Sequence, residues 1–74
     1  MSRPRRPRPA DRKMLVRSIL TGACVPIRGD SVTVLAAHRV LVRWADQADV
    51  LRVLRRYGLD ARPVSDHVLV TWPA

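Results

Sequence analysis

The 74-residue chain has no glutamate, no phenylalanine and no asparagine, and only one cysteine, one lysine and three scattered glycines. Each shortage closes a route. Without glutamate, the carboxylates are Asp11, Asp30, Asp46, Asp49, Asp60 and Asp66, at helix starts and turns where capping already occupies them. His38 and His67 stand at a connection and a strand start, without regular spacing to an aspartate or to the thiol. That pattern supplies neither a tetrahedral metal site nor an acid–base pair. Gly22, Gly29 and Gly58 lie far apart, so there is no glycine-rich phosphate loop. The expectation is a non-enzymatic protein with no cofactor, no metal and no small-molecule substrate.

Cys24 cannot form an intramolecular disulfide, which points to a reducing compartment. With no base assigned to it, the thiol is expected to be a small buried or half-buried side chain. The apolar stretch over residues 14–27 follows a basic start and contains Thr21-Gly22-Ala23-Cys24, a loose likeness to a lipoprotein signal. Arg17 interrupts that stretch, Thr21 stands where a branched apolar residue belongs, and the stretch is far too short to span a bilayer. A cytoplasmic location without membrane contact is expected.

What the chain has is arginine. Fourteen basic side chains face six acidic ones, for a net charge of +8. Residues 1–13 carry six basic groups against Asp11, a net of +5, which leaves +3 for the remainder. The opening MSRPRRPRP threads Arg3, Arg5, Arg6 and Arg8 between prolines. Proline fixes φ and removes amide donors, so such a segment reads as an extended strap rather than a helix or inner strand. Guanidinium is the cation best shaped for bidentate contact with phosphate or carboxylate. Residues 1–10 therefore read as a basic arm, and residues 11–74 as a compact α+β domain. GC-rich coding also produces arginine excess across a domain, but not the clustering in the arm.

Asp11 is placed to cap a helix over residues 11–23, with Met14, Leu15, Ile19 and Leu20 on one stripe and Gly22 and Pro26 ending it. Arg28-Gly29-Asp30 is a turn. From Ser31 the apolar period becomes two, over 31–36 and 39–44, which predicts a β-hairpin with Val40, Val42 and Trp44 on one face. Asp46 followed by Asp49 opens a second helix, whose apolar face is Val50, Leu51, Val53, Leu54 and Tyr57. Gly58 then occupies the left-handed position and Leu59 closes a Schellman ending. Residues 61–64 and 67–72 flank Ser65-Asp66 as a second hairpin, with Pro63 confining its strand to an edge. No internal repeat is expected. The order α-β-β-α-β-β predicts a four-stranded antiparallel sheet packed against one or two helices.

If the valines and both tryptophans point at the helices, then Thr33, Leu35, Arg39, Leu41, Arg43, His67, Leu69 and Thr71 form the second face. It is either an open platform or covered by the first helix. With both tryptophans turned away, it has no aromatic to stack a base, so base-specific recognition is not expected. Arg52, Arg55 and Arg56, with Arg62, make a further basic set near the second helix. A hairpin rather than a helix precedes it, which argues against helix-turn-helix docking.

Two functions of different class fit. The first is binding of nucleic acid, or of a nucleoprotein complex, mainly through phosphates and with little sequence specificity. Arg3, Arg5, Arg6 and Arg8 would be the strap, and Arg39 and Arg43, or Arg52, Arg55 and Arg56, the docked surface. The second is a small inhibitor or adaptor that binds an acidic protein surface. Phages and mobile elements use such proteins, anti-CRISPR-like inhibitors for example, to block the nucleic-acid-facing surface of a defence complex.

Overall fold

Alternating valines organise the molecule. The structure, a computed structural model, describes residues 9–73. Its elements are α1 (Pro9–Gly22), β1 (Val32–Ala36), β2 (Arg39–Val42), α2 (Gln47–Arg56), β3 (Asp60–Val64) and β4 (His67–Thr71). The strands pair antiparallel in the order β1-β2-β4-β3. The last strand in sequence is therefore central, and Pro63 lies on edge strand β3, where an absent amide is tolerated. Val32, Val40, Val42, Ala61, Val68 and Val70 are buried on one face of this sheet. Val16, Ile19 and Leu20 of α1 join the same core, as do Val50, Val53 and Leu54 of α2. Both helices thus lie on one side, and no described element covers the other. The second face is open.

The helix ends explain much of the local sequence. Asp46 is extended and its side chain accepts the Asp49 amide at 3.1 Å, the capping bond read from the sequence. Gly58 has φ 80°; its amide donates to the Arg55 carbonyl and that of Leu59 to Leu54, which is the Schellman ending. Tyr57 caps this turn and is exposed rather than on the core face. Helix α1 ends the same way. Cys24 donates to the Thr21 carbonyl at 3.0 Å and Val25 to Leu20 at 2.9 Å, with Val25 buried.

Four expectations for this region are corrected. The left-handed residue closing α1 is Cys24, with φ 59°, rather than the nearby Gly22. Its thiol is accordingly exposed, because a C′ residue stands at the turn's outer edge while its successor folds back onto the core. The helix also begins two residues earlier, at Pro9, and Asp11 sits in its first turn. Proline suits a first helical turn, where its missing amide has no partner to lose. Finally, the buried stripe is Val16, Ile19 and Leu20, which leaves Met14 and Leu15 exposed.

The chain is built twice from one αββ unit. Val16, Ile19, Leu20 and Val25 recur in role as Val50, Val53, Leu54 and Leu59, each 34 residues on. Val40-Leu41-Val42 recurs as Val68-Leu69-Val70, 28 residues on. The six-residue difference lies in the longer loop that precedes β1. Exchanging the halves maps the strand order onto itself. The hairpin turns correspond too: the Ala37 carbonyl accepts from Arg12 of α1, and the Ser65 carbonyl, 28 residues on, from Gln47 of α2 at 2.9 Å. The expectation of no internal repeat is corrected, since few residue identities survive outside the Val-Leu-Val strands.

Candidate nucleic-acid interface

Strand register sets out the open face in rows. Thr33, Leu41, Leu69 and Arg62 are cross-strand neighbours, and Arg39, Thr71 and Asp60 form the next row. Between Val34 and Ala36 the β1–β2 register shifts. At that bulge Leu35 stands 54% exposed at the sheet edge. Arg39 and Arg62, contributed by β2 and β3, line one shallow cleft with His38, Leu69 and Thr71. Its floor is a leucine on a central strand, and its rim is two guanidiniums, a hydroxyl and an imidazole.

Asp60 is the one carboxylate in these rows, and neighbours engage it. The Thr71 hydroxyl donates to it at 3.2 Å, and Arg62 Nε lies 3.4 Å away in an exposed pair. A surface ion pair of this length contributes little and yields readily to a stronger anion. The sequence groups Arg62 with the second helix; the register of β3 places it on the sheet instead, across β4 from Arg39 and lining the same cleft. That grouping becomes visible only once the strand order is known.

The remaining arginines divide. Arg43 follows β2 on the open face, its amide donating to the Ser31 carbonyl at 2.7 Å. It stands four positions along the chain from Arg39, about 13 Å at the usual strand rise. Arg52, Arg55 and Arg56 belong to α2, on the helical side of the sheet. Arg52 is paired with Asp49 at 2.9 Å, and Arg55 Nε donates to the Ala61 carbonyl at 3.0 Å. Arg56 and Arg52 line a separate groove with Tyr57 and Ala23. The two arginine sets proposed as docked surfaces are therefore on different layers and do not form one patch. Arg3, Arg5, Arg6 and Arg8 lie outside the described residues.

Trp44 departs from the pattern. The alternation of Val40 and Val42 placed it on the core, but β2 stops at Val42 and Trp44 takes φ 50°. Its ring is 54% exposed, with the Arg43 guanidinium 5.0 Å from the ring centroid. The expectation that both tryptophans face the helices holds only for Trp72, which packs on the core beneath Arg12. A second cleft, of about 500 Å³, opens beside Trp44 and is lined also by Pro26, Asp46, Asp66 and His67.

Among the described residues, no group of three or more His, Cys, Asp or Glu is placed to hold a metal ion, and no helix is long and apolar enough to cross a membrane. Comparison with protein families, curated proteins and solved structures found no match to this chain.

Proposed function

We propose that the protein binds nucleic acid, or a complex containing it, through phosphate contacts on the open sheet face. The observation that carries this reading is the cleft where Arg39 and Arg62 converge over Leu69 and Thr71, on a face left uncovered by either helix. Two guanidiniums from different strands, with hydroxyl and imidazole donors beside them, are the groups that position a phosphodiester without reading sequence. Arg43 extends the positive row along β2. The arginines of residues 1–8 add a second, tethered contact that raises local concentration more than selectivity. The reading has no catalytic step, and it places the protein in the cytoplasm.

Titration of labelled single-stranded and duplex oligonucleotides between about 50 and 200 mM salt tests it, since counterion release makes such binding steeply salt-dependent. Replacing Arg39 and Arg62 with alanine should lower the slope of log affinity against log salt by about one per arginine, uniformly across sequences. Absence of binding at the lowest salt sinks the proposal. So does a double variant with unchanged affinity and slope.

The apolar side of the same face supports a second reading, a protein partner with an acidic surface. Leu35 and Val64 are exposed at opposite edges of the sheet, with Leu41 and Leu69 half-buried between them. Leucines flanked by arginines are the composition of a protein interface as well. Binding to one protein that resists salt and survives deletion of residues 1–8 would favour this inhibitor or adaptor class over the first.

A further inference from the structure

We propose that Trp44 is a stacking site for an unpaired base, so that the nucleic acid taken by the open face is single-stranded. The inference rests on the phosphate-binding reading above and gives that site its substrate class. Three features of Trp44 converge. A bulky residue at positive φ is uncommon and costs conformational free energy, so a fold that keeps one there holds its side chain in a particular direction. Here that direction is outward: Trp44, at φ 50°, is 54% exposed. The equivalent tryptophan of the second half, Trp72, continues its strand and is folded onto the core, whereas Trp44 lies in the reversal into α2, which turns its ring outward. The Arg43 guanidinium lies over the indole, 5.0 Å from the ring centroid, and adds a cation beside the ring.

The surroundings favour a base over a phosphate. The open cleft beside the indole is walled by Pro26 and His67. Asp66 and Asp46 also line it. Asp46 is committed to the α2 cap through the Asp49 amide. Asp66, in the turn between β3 and β4, repels a phosphate but accepts hydrogen bonds from the amino or imino edge of a base. Phosphates belong instead with Arg43 just outside, with Arg39 about 13 Å farther along β2, and with Arg62 in the row between them on β3. A chain that lays its backbone along β2 thus delivers a base to Trp44. Paired bases inside a duplex keep their faces stacked on one another and cannot use the plate.

The test compares the full-length protein with Trp44→Ala and Trp44→Phe, using a single-stranded oligonucleotide and a duplex of the same length at low salt. Circular dichroism confirms that each variant is folded, which is expected because Trp44 lies outside the core. Trp44→Ala should weaken single-strand binding roughly tenfold, within the range for removal of one aromatic plate. It should leave duplex binding unchanged, and Trp44→Phe should recover most of the loss. Quenching of tryptophan emission by the single strand should disappear in Trp44→Ala. If Trp44→Ala binds the single strand like the parent, the proposal is wrong. If the parent binds duplex and single strand equally and with a steep salt slope, stacking fails while the phosphate reading stands. If neither is bound, both fail.

Discussion

In the first half of the chain, Val40-Leu41-Val42 leads to a tryptophan that leaves the sheet; in the second, Val68-Leu69-Val70 leads to one that stays on the core. The strands are equivalent in register, burial and sequence, so the cause lies after them. Trp72 continues the strand direction, and its amide donates to the His38 carbonyl at 3.0 Å. The segment after Val42 must instead turn into α2 within four residues, 43–46. Trp44 takes the left-handed conformation that makes the reversal. A period of two therefore assigns a face only as far as the ladder runs, and the connection decides the next residue. The helix ends differ in a parallel way. Both close through the same Schellman bonds, but the left-handed residue is Gly58 in one half and Cys24 in the other.

The largest expected effects test whether the halves are equivalent in energy as well as in geometry. Leu20 and Leu54 are fully buried at matching positions. Truncation to alanine should cost about 2–5 kcal/mol at each, a large part of the stability available to a domain this small. Urea titration followed by circular dichroism should place both variants far below the parent and close to one another. A loss at one site less than half that at the other would show that one αββ unit carries the fold and the second leans on it.

Much of this architecture was legible because it depends on neighbours in sequence. The Asp46 cap, the Gly58–Leu59 ending and the edge position of Pro63 each follow from a few adjacent residues. The membership of the second face followed from alternation, which put Arg39, Leu41 and Leu69 together; that no helix covers it did not. Sequence failed where a competing signal stood close by or where the answer needed a distant partner. Gly22 masked Cys24 as the left-handed residue, and Met14 and Leu15 offered α1 an apolar stripe nearly as good as the one built on Val16. The placing of Arg62 and Arg39 on one cleft required the order of strands, which no local pattern contains. Trp44 required the length of the connection.

The second prediction exchanges the two C′ residues. Cys24 adopts φ 59°, where a side chain is disfavoured, and glycine reaches that region without steric conflict. Cys24→Gly should stabilise the protein by about 0.5–1 kcal/mol, and Gly58→Ala should destabilise it by about 1 kcal/mol. Thermal melts of both variants under reducing conditions measure this. Open space surrounds a Cβ at Gly58, so the cost there is backbone strain and not a clash. Opposite signs at equivalent positions would confirm that the halves share one motif met by different residues. A loss in Cys24→Gly would mean that the cysteine side chain contributes something glycine cannot.

The smallest expected effect concerns Leu41 and Leu69, equivalent leucines that face one another across the centre of the open sheet. Each is half-buried by its row neighbours but has no helix above it, in contrast to Leu20 and Leu54. Alanine at either position should change stability by less than about 1 kcal/mol, while a ligand or partner lying on the face should sense the loss of apolar floor between the arginines. Urea titration reads the first quantity and oligonucleotide binding the second. The two leucines should behave similarly in stability, because each is flanked by the other and by one polar neighbour, Thr33 beside Leu41 and Arg62 beside Leu69. They should differ in binding, because Leu69 floors the Arg39–Arg62 cleft directly. If either alanine variant loses as much stability as Leu20→Ala, the face is occupied in the free protein, and the interface would have to be sought on the helical side with Arg52 and Arg56.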